Sequence, residues 1–111
     1  MRIASLVENL LDNACKATAA GGHVIVRTAP VRRASGPGVL LEVEDDGPGI
    51  PSELGYEIFE PGIGRFREGF GLGLALCREI ASAHGGGIAV ESAPGRTVFR
   101  VELPQLAERA A

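Results

Sequence analysis

Half of the glycines in this chain lie in one segment. Eight of the 16 glycines fall between Gly47 and Gly73. Glycine loses more backbone entropy on folding than any other residue, so a concentration of this kind needs a physical reason. One reason is a binding loop, because glycines allow backbone N–H groups to come close to a phosphate. The alternative is a flexible linker.

The C-terminal end of this segment leads into a predicted helix. It consists of Gly69-Phe70-Gly71-Leu72-Gly73-Leu74. The unpaired N–H groups and the dipole of a helix that begins there favour an anion. The order of the glycines does not match a dinucleotide-binding fingerprint, and no Gly-Lys-Ser/Thr phosphate loop is present. Taken alone, the motif is therefore a weak indication of phosphate binding.

The composition is that of a small globular domain. The length of 111 residues is enough for one domain, and 45% of the residues are hydrophobic, as in a chain that forms a core. The net charge of -3 excludes a strongly basic nucleic-acid-binding protein and gives no reason to expect direct membrane contact. No signal peptide or membrane-spanning stretch is visible. We expect a cytoplasmic domain, whether or not the full-length protein is membrane-anchored.

The hydrophobic periodicity predicts an α/β (α+β) two-layer sandwich. Apolar residues at three- and four-residue spacing predict helices, and alternating β-branched runs predict strands. Short turns between consecutive strands favour a mixed, mostly antiparallel sheet that the helices cover on one face. The predicted elements are a helix over 2–18, strands over 23–28 and 39–44, a short helix over 53–58, a helix over 72–84, and strands over 88–92 and 97–103.

The remaining segments are predicted to be irregular. Residues 30–38 are expected to form a loop that connects the two strands as a hairpin, 60–70 an exposed mobile segment, and the residues after Pro104 a frayed helix or a disordered tail. Two cysteines, Cys15 and Cys77, fall within the helical patterns. Since two cysteines make neither a disulfide framework nor a four-ligand zinc site, we expect both to be small buried hydrophobic side chains.

The first predicted helix carries a polar strip beside its apolar stripe. Asn9, Asn13 and Lys16 lie at positions i, i+4 and i+7, so they share one side of the helix. Asparagine is unfavourable in the middle of a helix, and two of them one turn apart indicate a shared task. An amide oxygen can ligate Mg²⁺, and a lysine can contact a phosphate. The alternative is a solvated polar face.

A carboxylate stands at the start of the glycine-rich segment. Asp46 follows the second predicted strand and opens a Gly-Pro-Gly turn. A carboxylate at the end of a strand can accept a hydrogen bond from an exocyclic amine. The alternative is ordinary turn chemistry, since aspartate before glycine is common in loops.

These motifs together resemble the GHKL superfamily of ATP-binding domains, which includes gyrase-type ATPases, mismatch-repair ATPases and sensor histidine kinases. The segment 9–17 resembles the Asn box of histidine kinases, 46–50 the first glycine box, 58–61 the Phe box and 69–76 the second glycine box. The four boxes occur in the order of the family. With a final hairpin that is also similar, the resemblance covers residues 1–104.

The resemblance implies a Bergerat-fold catalytic domain over 1–104 and a C-terminal tail over 105–111, with ATP between the helices and a mobile lid. It implies that Asp46 binds the adenine amino group, that Asn13 holds Mg²⁺, and that Asn9 and Lys16 assist the metal and the phosphates. Further implied nucleotide-binding positions are Gly47, Gly49, Ile50, Phe59, Gly71, Leu72, Gly73, Leu74 and Thr97.

One position favours the histidine kinase branch of the superfamily. Hydrolysing members carry a glutamate one turn before the metal-binding asparagine, as a general base for water. Asn9 occupies that position here and cannot accept a proton at neutral pH. Glu8 is adjacent but points about 100° away on an ideal helix. The resemblance therefore implies transfer of the γ-phosphate to a histidine rather than hydrolysis.

The acceptor histidine is expected in a separate domain. Neither His23 nor His84 is followed by an acidic residue, as the acceptor usually is. The implied partners are a histidine-bearing dimerisation domain, in the same or another chain, and a response regulator downstream. The alternatives are an anti-sigma-factor-type serine kinase and partner-binding module of the same fold, a GHKL ATPase, or a module that holds nucleotide without transferring phosphate.

Overall fold

Two helices and four strands make up the regular structure of the described residues. The computed structural model describes residues 3–50, 58–59 and 72–105. The elements are α1 (Ile3–Ala17), β1 (Val24–Arg33), β2 (Gly36–Asp45), α2 (Leu72–Ala83), β3 (Gly87–Ala93) and β4 (Arg96–Pro104). The predicted mobile segment 60–70, the tail beyond 105 and the predicted short helix over 53–58, except for its last residue, lie outside the described residues.

The strands form one antiparallel sheet in the order β1-β2-β4-β3, and both helices pack on the same face of it. Leu10 of α1 and Ile80 of α2 are buried against the sheet, where they share a core with Val43 and Val101. Burial of each such side chain contributes roughly 1.5–3 kcal/mol. The predicted two-layer α/β sandwich is confirmed.

The apolar stripe of α1 decides which side chains of that helix are buried. Leu6, Leu10 and Ala14 recur every four residues and face the core. Cys15 is the next residue after Ala14, about 100° further around the helix, and it is exposed. The prediction of a buried Cys15 is therefore wrong. Cys77 is buried as predicted, and its burial raises the pKa of the thiol to about 11.

The first hairpin is longer than the sequence predicted. Residues 30–38 were expected to form a loop, but β1 and β2 pair continuously from Val24 opposite Asp45 to Arg33 opposite Gly36. Pro30 is tolerated because β1 is an edge strand, paired on one side only. Pro37 precedes Gly38, the first β2 residue that pairs with β4, so it too lies outside the doubly paired part of the sheet.

The face of the sheet opposite the helices carries paired charges. Arg27 on β1 lies 2.9 Å from Glu44 on β2, measured from Nη1 to Oε1. Arg100 on β4 contacts Glu42 through Nε at 2.6 Å and Glu91 on β3 through Nη1 at 2.7 Å. Pairs of this kind contribute little stability individually, about 0.2–1 kcal/mol, but opposite charges on neighbouring strands favour this register.

Neither helix in the described part of the chain is long and apolar enough to cross a membrane.

Candidate functional site

Three polar side chains form a row across the sheet on the face that the helices cover. Asp45 at the end of β2 pairs with Thr97 near the start of β4, and Thr97 pairs in turn with Ser92 on β3. Asp45 is 2% exposed and Thr97 is 4% exposed. Directly paired residues of antiparallel strands project to the same face. The row therefore places a carboxylate and two hydroxyls beside each other at one end of the core.

Asp45 is a buried carboxylate at the entrance to the glycine turn. Its Oδ1 accepts a hydrogen bond from the backbone N–H of Gly47 at 2.9 Å. Burial raises the pKa of Asp45, and the neighbouring charges of Asp46 and Glu44 add to the increase, while the Gly47 N–H acts against it. No ion pair joins Asp45 to a cation within the described ranges. Such a carboxylate is suited to accept hydrogen bonds from a neutral donor.

Asp46, which the family resemblance implied as the residue that binds the adenine amine, lies at the surface. Its Oδ2 accepts a hydrogen bond from the backbone N–H of His23 at 3.0 Å and lies 3.3 Å from His23 Nδ1. These contacts with His23 lower the pKa of Asp46. The side chain is 43% exposed. The carboxylate that is buried beside Thr97 is therefore Asp45, which sequence reasoning missed, although the inward alternation of Leu41, Val43 and Asp45 along β2 indicates it.

The glycine turn after Asp45 fits closely between α1 and the β3–β4 hairpin. A Cβ built on Gly47 would lie 2.5 Å from the carbonyl oxygen of Ala17, at the end of α1. Gly49 has a φ of 90°, and a Cβ there would lie 2.6 Å from the carbonyl oxygen of Ala93. Glycine is thus required at both positions, by close approach at Gly47 and by both close approach and backbone conformation at Gly49.

We expect Gly49→Ala to destabilise the domain by about 1–2 kcal/mol, because alanine is strained at positive φ and its methyl group would meet the Ala93 carbonyl. Chemical denaturation followed by circular dichroism measures this loss. Gly87→Ala is the matched control, since a Cβ at Gly87 has no heavy atom within 4 Å. Equal stability of the two variants would contradict the close fit of the turn.

Helix α1 brings one of its two asparagines into the interior. Asn13 is 6% exposed, and its Oδ1 is buried without a hydrogen-bond partner among the described residues. A buried acceptor without a partner costs about 1–3 kcal/mol, so its retention suggests a ligand. Asn9 is partly buried and faces the start of α2, where a Cβ on Gly73 would lie 3.7 Å from Asn9 Oδ1. Asn9 is therefore a neighbour of the start of α2, and Asn13 lies one turn further along α1.

Lys16 does not join Asn13 in the interior. Its side chain is 54% exposed and its Nζ lies 3.1 Å from Asp12 Oδ2, one turn earlier on α1. The residues of the predicted polar strip therefore differ in exposure. Asn13 is buried, whereas Lys16, three residues later on α1, forms an exposed ion pair. An exposed lysine on a flexible side chain remains free to exchange Asp12 for another anion.

The other predicted positions divide between the core and the glycine turn. Phe59 is 1% exposed and packs edge-to-face against Phe99, with ring centroids 6.1 Å apart, which favours a packing role over direct contact with a ligand. Leu74 is also a core residue. Ile50 packs partly against the core and donates its backbone N–H to Ser92 Oγ at 2.8 Å. Leu72 begins α2, and Gly71 lies outside the described residues.

Comparisons with known proteins agree with this arrangement. Residues 1–107 match the family described as histidine kinase-, DNA gyrase B-, and HSP90-like ATPase. The chain is 49% identical over 105 residues to the sensory histidine kinase/phosphatase NtrB of Rhodobacter capsulatus, an alignment that covers 86% of this chain and 30% of that protein. It is 44% identical over 107 residues to the alginate biosynthesis sensor protein KinB of Pseudomonas aeruginosa, covering 94% of this chain and 17% of that protein. The chain thus spans less than a third of either relative.

Solved structures show the same fold. The nucleotide-free catalytic domain of the histidine kinase ThkA superposes with a TM-score of 0.80 at 34% identity, over 96% of this chain and 68% of that one. Full-length ShkA in complex with AMPPNP superposes with a TM-score of 0.77 at 28% identity, over 97% of this chain and 22% of that one. The resemblance inferred from the four sequence boxes is confirmed. The chain belongs to the family of histidine kinase-, DNA gyrase B- and HSP90-like ATPases, and within it matches the ATP-binding catalytic domains of sensor histidine kinases.

Proposed function

We propose that this domain binds Mg-ATP and transfers the γ-phosphate to a histidine on a separate dimerisation domain, from which a response regulator receives it. The observation that carries the proposal is the buried amide oxygen of Asn13, which has no hydrogen-bond partner among the described residues. The metal-binding asparagine that the histidine kinase motif implies falls at this residue. The domain would act in the cytoplasm, where ATP is available, whether or not the full-length protein is membrane-anchored.

Asp45, rather than Asp46, would recognise the adenine. An exocyclic amine is a neutral hydrogen-bond donor, and Asp45 is a buried acceptor held in place by the Gly47 N–H. Thr97 lies beside it in the strand register and supplies a hydroxyl to the same edge of the base. Gly49 and Ile50 would form the wall of the base pocket. Asp46 is then a surface residue that anchors the start of β1 through His23.

Asn13 would supply a protein ligand for Mg²⁺. Asn13 fits this role because an amide oxygen is a hard ligand of the kind that Mg²⁺ prefers. The Asn13 oxygen is also buried and has no hydrogen-bond partner among the described residues. The metal, when bound, would neutralise phosphate charge and orient the phosphates. Backbone N–H groups of Gly71, Leu72, Gly73 and Leu74, at and just before the start of α2, would hold the phosphates. Lys16 would exchange its surface partner Asp12 for a phosphate.

Asn9 supports phosphotransfer over hydrolysis. It lies one turn before Asn13 on α1 and faces Gly73. The resemblance to the superfamily implies that hydrolysing members carry the general base for water at this position. An amide cannot accept that proton at neutral pH. Glu8 is exposed, which agrees with a position away from the buried side of α1. Phosphoryl transfer then depends on positioning and charge neutralisation, which these residues can provide.

The acceptor histidine would come from another domain. His84 ends α2 with its Nδ1 2.9 Å from the carbonyl oxygen of Ile80, and His23 is in contact with Asp46. Both histidines thus already have structural partners. A histidine-bearing dimerisation domain and a response regulator are the proposed partners.

The proposal is tested by mixing the domain with γ-labelled ATP and a separately produced histidine-bearing dimerisation domain. We expect labelled protein whose phosphate is lost in acid and kept in alkali, as for phosphohistidine, and no label with Asn13→Ala. Release of free phosphate without labelled protein would indicate an ATPase instead. Transfer to an anti-sigma antagonist, as an acid-stable phosphoserine, would indicate the serine kinase alternative.

A further inference from the structure

Ser92, an exposed residue of β3, connects the glycine turn to the buried Thr97, although no sequence motif pointed to it. Its Oγ accepts a hydrogen bond from the backbone N–H of Ile50 at 2.8 Å. The same oxygen lies 3.1 Å from Thr97 Oγ1, within hydrogen-bond distance. A Cβ built on Gly49 would lie 3.1 Å from this oxygen, so the backbone of the turn packs directly against the Ser92 hydroxyl. One hydroxyl thus links β3, β4 and the turn.

The proton inventory of the two hydroxyls allows this hydrogen bond to run in either direction. A serine hydroxyl has one proton and two lone pairs, and one lone pair of Ser92 is taken by the Ile50 N–H. If Ser92 uses its single proton on Thr97 Oγ1, the proton of Thr97 is left for a different acceptor. The neighbouring residue of Thr97 on the other side is Asp45, at the proposed adenine edge.

We propose that Ser92 is a positioning residue for base recognition: by donating to Thr97 Oγ1, it fixes the rotation of the Thr97 hydroxyl so that the Thr97 proton points towards the base. Adenine presents an amine donor and, next to it, the ring nitrogen N1 as an acceptor. Asp45 would accept from the amine, and the Thr97 hydroxyl would donate towards N1. Guanine presents the opposite pattern at these two positions. Ser92 would therefore contribute to specificity for adenine without touching the nucleotide.

This inference rests on the proposed function, and its test separates the two. Calorimetric titrations of the whole chain compare ATP with 1-deaza-ATP, which lacks only the N1 acceptor. For the unchanged protein, we expect about fivefold to tenfold weaker binding of the deaza analogue, the effect of one hydrogen bond. In Ser92→Ala, we expect ATP to weaken by a similar factor and the preference for ATP over 1-deaza-ATP to fall to nearly one. Ser92→Thr, which retains the hydroxyl, should restore the preference.

Each outcome decides one question. If the unchanged protein does not bind ATP, the proposed function fails. If it binds ATP and Ser92→Ala weakens both nucleotides equally, so that the preference is unchanged, Ser92 only holds the turn and the inference is overturned. Thr97→Val gives a second test of the inference. In a protein that already carries Thr97→Val, adding Ser92→Ala should not change the preference for ATP over 1-deaza-ATP any further. Ser82→Ala, an exposed serine on α2, is the control and should behave as the unchanged protein does.

Discussion

Replacing Asp45 with asparagine is expected to weaken ATP binding by about 10- to 100-fold, the effect of removing a charged hydrogen-bond acceptor. Asparagine preserves the size of the side chain and can still accept from the Gly47 N–H through its oxygen. What it loses is the second acceptor oxygen for the adenine amine, since the amide presents an N–H₂ group there. Calorimetric titration with Mg-ATP measures the change.

Asp46→Asn is the matched control, because it makes the same chemical change at the next residue. Asp46 is exposed and accepts a hydrogen bond from His23. We therefore expect the ATP affinity of Asp46→Asn to remain within about twofold of that of the unchanged protein, as for a surface substitution away from the site. If Asp46→Asn abolished binding while Asp45→Asn left it intact, the assignment of the base-recognising carboxylate to Asp45 would have to be withdrawn.

At pH 7, these two substitutions should have opposite effects on stability relative to the unchanged protein. Because burial raises the pKa of Asp45, the folded state prefers the protonated form, and this preference costs stability as pH rises through the raised pKa. Asp45→Asn removes that cost, so its unfolding temperature at pH 7 should equal or exceed that of the unchanged protein. The pKa of Asp46 is lowered, so its contribution is present at neutral pH and is lost as pH falls through the lowered pKa. Asp46→Asn should therefore be the less stable variant at pH 7.

Asn13→Ala is expected to remove the dependence of ATP binding on magnesium. In the unchanged protein, we expect Mg²⁺ to strengthen ATP binding, and the variant should bind Mg-ATP about 100-fold more weakly while its binding in EDTA stays the same. The variant should not unfold more easily, because the substitution also removes a buried oxygen that has no partner among the described residues. Titrations with and without EDTA, with thermal unfolding in parallel, measure both effects.

Asp12→Asn is the control for this measurement. Asp12 lies on the same helix, but its side chain is 64% exposed and pairs only with Lys16 among the described contacts, so its loss should leave the magnesium dependence unchanged. An equal loss of affinity for Asn13→Ala in Mg²⁺ and in EDTA would contradict the metal role. It would place Asn13 in contact with the nucleotide itself or in support of the fold.

The elements with strong periodicity were predicted well from the sequence, and the errors have physical causes. Helix α1 was evident from its four-residue apolar spacing, and the β3–β4 hairpin from its alternation around a turn. The extension of β1 and β2 through 30–38 was missed because two prolines and two glycines normally mark a loop, and only the sheet order shows that an edge strand can contain them.

The choice between Asp45 and Asp46 could not be made from the turn alone. Both carboxylates precede the same Gly-Pro-Gly sequence, and local turn chemistry suits either one. The strand favours Asp45 as the base-recognising residue, since successive residues point to opposite faces and only Asp45 follows Leu41 and Val43 inward. Ser92 was missed for a different reason: its two hydrogen bonds join residues 42 and 5 positions away, a relationship that only the folded chain reveals.

The long β1–β2 hairpin has a practical consequence for experiments on this domain. Its tip at Ala34 and Ser35 lies at one end of β2, and Asp45 lies at the other, nine residues along the strand, a separation of about 30 Å at the usual rise. A fluorescent reporter attached at Ser35 would therefore sit far from the base pocket. Docking of another domain could then be followed by anisotropy without disturbing nucleotide occupancy.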